Sequence, residues 1–323
     1  MIATQRRALS LAAAAILAAI LLYYSLRGIE WQQVARIIRG ASLAPLLLAI
    51  AISSFTIFLR ACRWRILLNA EGTVSVSSAF WATAAGYFGN SFLPARAGEL
   101  VRTVMISSRS TLENAYVLAT ALSERAADAV TLVGISAIVL LLVPAKTGWL
   151  AASAQPLAVL GLVGLAGITL LPRLGPVAGK IIQWAPLPHA IRPKLSSAIA
   201  HSLRGVGAFH HAGRLFGFVA LTVLIWSLDA IGTVVAGTAL GLRIPIVVAF
   251  LLLAALGLGS ALPSTPGYVG IYQFVAVTVL TPFGFSRNDA IAYILVAQVM
   301  MFAVIGFWGS LGLLRYRQAQ RCP

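Results

Sequence analysis

The sequence predicts an all-α integral membrane protein, with about six full transmembrane helices plus two re-entrant helical hairpins in an inverted repeat. Three observations predict it. Of 323 residues, 60% are hydrophobic and only 10% are charged, against about 25% charged in a soluble domain. Several apolar runs reach the roughly 20 residues that span a bilayer. Two further apolar segments break at Pro and Gly, and their second halves are too short to cross alone.

Arg6 and Arg7 precede the apolar run 8–26, which ends YYSLRG. A cleaved signal has a shorter apolar core and a small-residue cleavage site, so this is expected to be a retained first helix. GIEWQQVARIIRGAS, 28–42, carries Ile29, Val34, Ile37 and Ile38 at the spacing of an amphipathic helix lying in the interface. Further full spans are expected at 43–60, 125–143, 154–171, 215–240 and 289–314. The first broken segment runs 76–92, stops at Leu93-Pro94 and resumes at 97–108. The second runs 245–261, breaks over LPSTPGYVG and resumes at 271–282. The expected organisation is one polytopic membrane domain, 1–323. It comprises a first and an interfacial helix (1–42), a first repeat (43–143), a span with a basic loop (144–214), a second repeat (215–314) and a tail (315–323).

Charge sets the orientation. With both termini cytoplasmic, the inside segments hold eighteen Lys and Arg; the outside keeps Arg27, Arg36, Arg39, Lys146, Arg243 and Arg287. That asymmetry follows the positive-inside rule and supports this topology. It also accounts for the net charge of +16 without nucleic acid, for which no aromatic–basic module is present. Cys62 and Cys322 have no metal spacing. His189, His201, His210 and His211 share the loop 173–214. A pH sensor or a metal cluster is one reading; a basic interfacial segment on anionic headgroups is the plainer one. No metal or other cofactor is expected.

The halves echo each other. SFLPARAG, 91–98, and SALPSTPG, 260–267, share S-x-L-P-x-x-x-G at an offset of 169 residues. Paired Gly/Pro-interrupted segments in oppositely oriented halves point to a transporter site at the repeat interface. Broken backbone survives at membrane depth only where protein or a water-filled cavity meets it. The half-helices after Pro94 and Pro266 would turn partly positive N-termini toward an anionic group.

Glu99, Glu124, Asp128 and Asp229 sit in or beside apolar runs. A charge at that depth costs about 2.5–3.5 kcal/mol on insertion scales, so it is usually paired or functional. Glu99 and Arg102 share a helix face, as do Arg125 and Asp128. Arg60 and Asp229 are 169 residues apart, at equivalent places in the two halves. Two readings stay open: ion pairs that clamp helices, or a polar cavity in which Arg96, Arg102 and Arg125 hold a phosphate. G-x-S-x-G, H-E-x-x-H and P-loop motifs are missing, so no enzymatic reading rests on a motif.

GYFGNSFLPARAGELVR, ALSERAADAV and ALPSTPGYVGIYQF, in that order, resemble the flippase-type membrane domain of lysylphosphatidylglycerol synthases over residues 10–315. The resemblance carries over Asn90, Pro94, Gly98, Glu99 and Arg102 from the first motif. From the second it carries Glu124, Arg125 and Asp128; from the third, Pro263, Pro266, Gly267 and Gly270. Members often have Glu shortly after the last glycine, where the nearest polar residue here is Gln273. The resemblance is to the membrane domain and not to the soluble synthase domain. It therefore implies a flippase-like transporter for an anionic or lipid-linked headgroup in a bacterial inner membrane, without implying lysyl-lipid synthesis. A membrane-embedded transferase, or an accessory subunit beside a partner enzyme of lipid modification, is the alternative.

Overall fold

A computed structural model describes residues 16–92, 97–142, 211–260 and 266–321, with isolated positions between 148 and 166 and at 207. All regular structure among the described residues is helical. In chain order these are α1 (Ile16–Leu26), α2 (Trp31–Arg39), α3 (Leu43–Leu68), α4 (Val76–Phe92), α5 (Gly98–Ser107) and α6 (Asn114–Leu142). After the basic loop come α7 (Ala212–Ala239), α8 (Ile246–Gly259), α9 (Ile271–Leu280) and α10 (Arg287–Arg321). Among the described residues α3, α7 and Arg287–Gln318 of α10 are long and apolar enough to cross a membrane. The expected span 154–171, the loop 173–214 and its histidines, apart from His211, lie largely outside the described residues.

Two boundaries differ from expectation in a way that matters. α3 runs on through Arg60, Arg63 and Arg65 to Leu68, and α6 starts at Asn114 rather than at 125. A hydropathy reading ends a span at its first charge. The helix itself continues, because Arg60 and Arg63 find carboxylates on α6 and Arg65 donates to the Val74 carbonyl. Glu124, Arg125 and Asp128 therefore lie inside α6, not at its start.

The chain packs as two compact units. One comprises Met1–Thr56, Thr131–Val159 and Trp226–Val304; the other comprises Ile57–Val130, Leu160–Ile225 and Ile305–Pro323. The division falls inside α3, α6, α7 and α10. The first unit also holds the short pair α8 and α9, and the second holds α4 and α5.

The first unit's core gathers Val34, Ala49, Ala230, Leu252, Ala276, Leu280, Ile291 and their neighbours. Ile29, Ile37 and Ile38 pack against it, so α2 turns its apolar stripe to the protein rather than to lipid. In the second unit, Trp64, Leu68, Ala82, Ala85, Ile106, Tyr116 and Val117 form the core. α4 and α5 meet there backbone to backbone. A Cβ at Gly98 would overlap the Gly86 carbonyl oxygen and crowd the Asn90 amide. Only glycine allows that approach. Leu43, Leu47, Leu48 and Phe55 of α3, and Phe216, Val219 and Val223 of α7, are exposed. Lipid tails are as apolar as leucine, so such a surface costs nothing in a bilayer.

Candidate functional site

Arg60, Arg63, Arg102 and Arg125 of the second unit form one continuous network with Glu99, Glu124 and Asp128. Arg63, on the inward face of α3, is its hub, with a side chain 0% exposed. Its Nη1 donates to Asp128 Oδ1 at 2.7 Å and to Thr222 Oγ1 at 3.1 Å; its Nη2 donates to Asp128 Oδ2 at 2.9 Å and to Glu124 Oε1 at 3.0 Å. Its Nε donates to Glu124 Oε1 at 3.3 Å. The guanidinium carbon also lies 4.9 Å from the centre of the Phe218 ring. The guanidinium fork thus meets two carboxylates one helical turn apart on α6, which is the arrangement its planar donors favour.

Glu124 hands the network on. Its Oε2 accepts from Arg102 Nη1 at 2.9 Å, while Arg102 Nη2 donates to the Ala121 carbonyl at 3.1 Å. Arg102 lies 4.5 Å over the Trp64 ring, whose Nε1 donates to Thr120 Oγ1. Arg102 Nε and Glu99 Oε2 meet as an ion pair at 2.5 Å, off the line of a hydrogen bond. Glu99 Oε1 accepts from Arg125 Nε at 2.9 Å and from Asn90 Nδ2 at 3.2 Å. At the other end Arg60 Nη1 stands 3.9 Å from Asp128 Oδ2.

Burial grades along this chain. Arg102 is 2% exposed and every nitrogen of its guanidinium is engaged, whereas Arg125 is 37% exposed. Among the described residues Arg125 uses only Nε; its guanidinium carbon lies 5.0 Å over the Tyr87 ring. Its two terminal nitrogens have no hydrogen-bond partner among the described residues, on a group that Glu99 and Tyr87 orient.

The break before α9 is built without charge. Gln273 Oε1 accepts from the Gly270 amide at 2.7 Å, and Gln273 Nε2 donates to Gln298 Oε1 at 2.6 Å. Gln298 Nε2 donates to the Gly267 carbonyl at 2.9 Å. Both glutamines are buried. Gly267 and Gly270 hold φ of +75° and +89°, and side chains would collide there with the Phe302 ring and the Ala18 backbone. Tyr268 takes φ +61° and stacks on Tyr272 at 4.8 Å. Gln273, expected beside a ligand, is thus committed to closing the turn.

Of the residues singled out in the sequence, Asn90, Glu99, Arg102, Glu124, Arg125 and Asp128 come together. Gly98 makes the α4–α5 contact, and Gly267 and Gly270 shape the second break. Pro266 opens a short 3-10 turn, Pro266–Tyr268. Asp229 is half-buried in α7, in the first unit. Pro94, Arg96 and Pro263 lie outside the described residues. Sequence reasoning missed Arg63, Trp64, Tyr87, Thr222 and Gln298. Arg63 was open to discovery: in RACRWR it stands three residues after Arg60, one turn further along the same helix face.

These features define an all-helical, multi-pass membrane protein with charge buried inside its helices. The chain belongs to the family described as the lysylphosphatidylglycerol synthase transmembrane region, which it matches over residues 9–309. It is also similar to the glycosyltransferase AglD of Haloferax volcanii, 28% identical over 222 residues, which cover 59% of this chain and 35% of AglD. The chain thus spans about a third of that relative's length. No solved structure was found to match.

Proposed function

We propose that this protein is a flippase-like transporter of a bacterial inner membrane. In this reading it moves an anionic or lipid-linked headgroup through a polar cavity between two inverted repeats, with α4–α5 and α8–α9 as re-entrant hairpins and both termini cytoplasmic. The observation that carries it is Arg125: an oriented, partly exposed guanidinium whose two terminal nitrogens have no partner among the described residues, inside an apolar helix of a membrane protein family. Such a group suits a phosphate oxygen pair. Arg102 and Arg63 would not bind substrate. They hold Glu124 and Glu99, and Glu99 in turn aims Arg125.

The helix order supports the repeat. Leu43 and Ala212 open α3 and α7 at an offset of 169 residues, and Val76 and Ile246 open α4 and α8 within one residue of it. Within the second unit, Arg63 of the first half bonds Thr222 of the second, so the network straddles the halves. Asn90, whose Oδ1 has no hydrogen-bond partner among the described residues, and Arg96 would complete the headgroup contacts. Asp229 would serve the other half.

The test is headgroup movement in proteoliposomes by Arg125→Ala and Glu99→Gln proteins. Both should lose most of it. Wild-type rates in both would remove this site. A second reading, a membrane-embedded transferase or accessory subunit of a lipid glycosylation or hopanoid pathway, draws on the similarity to a protein named a glycosyltransferase. It predicts product from a labelled donor and lipid with the purified chain.

A further inference from the structure

Several helix ends converge in the first unit, and hydrogen bonds fix them together. Arg287, at the start of α10, donates to the Tyr24 and Ser25 carbonyls that end α1. Asn288 accepts from the Glu30 amide and donates to Gln33 Oε1, which pins α2 to α10. The Ser42 amide donates to the Ala239 carbonyl at 2.8 Å and so ties the start of α3 to the end of α7.

The apolar stripe of α2 is used up on the core, with Val34 2% exposed. What α2 leaves outward is Gln32, Arg36 and Arg39, flanked by exposed Trp31. Arg27 and Arg243, in the turns after α1 and α7, are exposed as well. Among the described residues none of Arg27, Arg36, Arg39 and Arg243 has a carboxylate within ion-pair distance. The acids on this end are Glu30 and Asp289, and Asp289 is occupied by the Ser286 amide and hydroxyl.

Depth follows from the flanks. Arg39 stands four residues before the exposed Leu43, with Leu47 and Leu48 one turn beyond; Arg27 follows the exposed Tyr23 and Tyr24. Aromatic rings at a helix end beside exposed leucines mark the headgroup level. A rigid, unpaired basic face at that level has one natural counter-charge, the phosphates of acidic lipids.

We infer that Arg27, Arg36, Arg39 and Arg243 form a docking platform for anionic phospholipid headgroups of the adjacent leaflet. The platform shares no residue with the Arg125 site. Because α2 is held by Asn288 and Val34, the platform is preformed and does not depend on bilayer insertion of a free helix. Each arginine near an anionic surface strengthens attraction by about fivefold.

The experiment is native mass spectrometry of the full chain exchanged from mixed micelles holding equal phosphatidylglycerol and phosphatidylcholine. Wild type should retain phosphatidylglycerol preferentially, and high salt should erase the preference. Arg36→Gln with Arg39→Gln should reduce that retention at least tenfold, while Arg36→Lys with Arg39→Lys keeps most of it. Headgroup movement in proteoliposomes by the Arg36→Gln with Arg39→Gln protein should match wild type, which separates this platform from the Arg125 site. Equal retention of both lipids by wild type, or unaltered phosphatidylglycerol retention in the Gln double variant, overturns the proposal. A lipid-free melting temperature matching wild type shows that the Gln variant is folded. If the Gln variant does not fold, the Lys variant decides: loss of retention there overturns the platform as well.

Discussion

The two short helix pairs solve one problem by different means. Each stops a helix inside an apolar protein and must satisfy the backbone and side chains it exposes. α4–α5 relies on charge: Glu99 and Arg102 at the start of α5 join Glu124, Arg125 and Arg63. α8–α9 relies on neutral amides, with Gln273 and Gln298 closing a glycine turn. A charged brace is costly unless every partner is present, yet it can offer one end to a ligand. An amide brace is complete in itself. The comparison suggests that binding sits at the first pair and scaffolding at the second.

The largest expected effect is at the hub. Arg63→Ala leaves Glu124 and Asp128 buried without their main partner, and removing one side of a buried ion pair costs about 3–5 kcal/mol. Denaturant or thermal melts in detergent would register it. Adding Asp128→Asn should recover part of the loss, because one stranded charge disappears. If Arg63→Ala melts like wild type, the charged brace is not what holds α3 to α6.

Next come the glycines. Gly98→Ala forces a Cβ into the Gly86 carbonyl, backbone against backbone, and should cost about 1–3 kcal/mol or more. Gly259→Ala, at the α8–α9 contact, meets only the side chains of Ile271 and Val275, at 3.0 and 3.4 Å. Those can shift, so its melt should stay closer to wild type. Equal effects would mean that the two pairs are packed alike.

Gln298→Leu tests the amide brace. It strands the Gly267 carbonyl and the Gln273 amide group, and a buried group without its partner costs about 1–3 kcal/mol. Since the brace is placed outside the binding site, transport per folded molecule should survive. Loss of transport at full stability would move the site toward the second pair.

Much of this was legible in the chain. Both helix pairs fall where Pro and Gly interrupt apolar runs, and the S-x-L-P-x-x-x-G echo marks them at matching places. Periodicity also grouped Glu99 with Arg102 and Arg125 with Asp128. Arg63 was hidden because a hydropathy scan treats a charge as the end of a span; its burial depends on Glu124 and Asp128, more than sixty residues away. The bonds of Gln273 were hidden for the opposite reason. A polar residue after a glycine break reads as open to a ligand, whereas its capping of Gly270 and its bond to Gln298 exist only in three dimensions.

The smallest expected effect on stability is at Arg125, and there the comparison is sharpest. Its Nε–Glu99 contact is partly exposed, and exposed ion pairs contribute about 0–1 kcal/mol. Arg125→Ala should therefore melt near wild type and still fail to move a headgroup, unlike Arg63→Ala, which should fail by unfolding. Arg125→Lys keeps the charge but not the planar fork, so it should recover transport only in part. Glu99→Gln should lose most of the transport, as Arg125→Ala does, because the guanidinium remains but is no longer aimed. Were Arg125→Ala to lose as much stability as Arg63→Ala, Arg125 would be one more clamp, and both hairpins would be scaffolding.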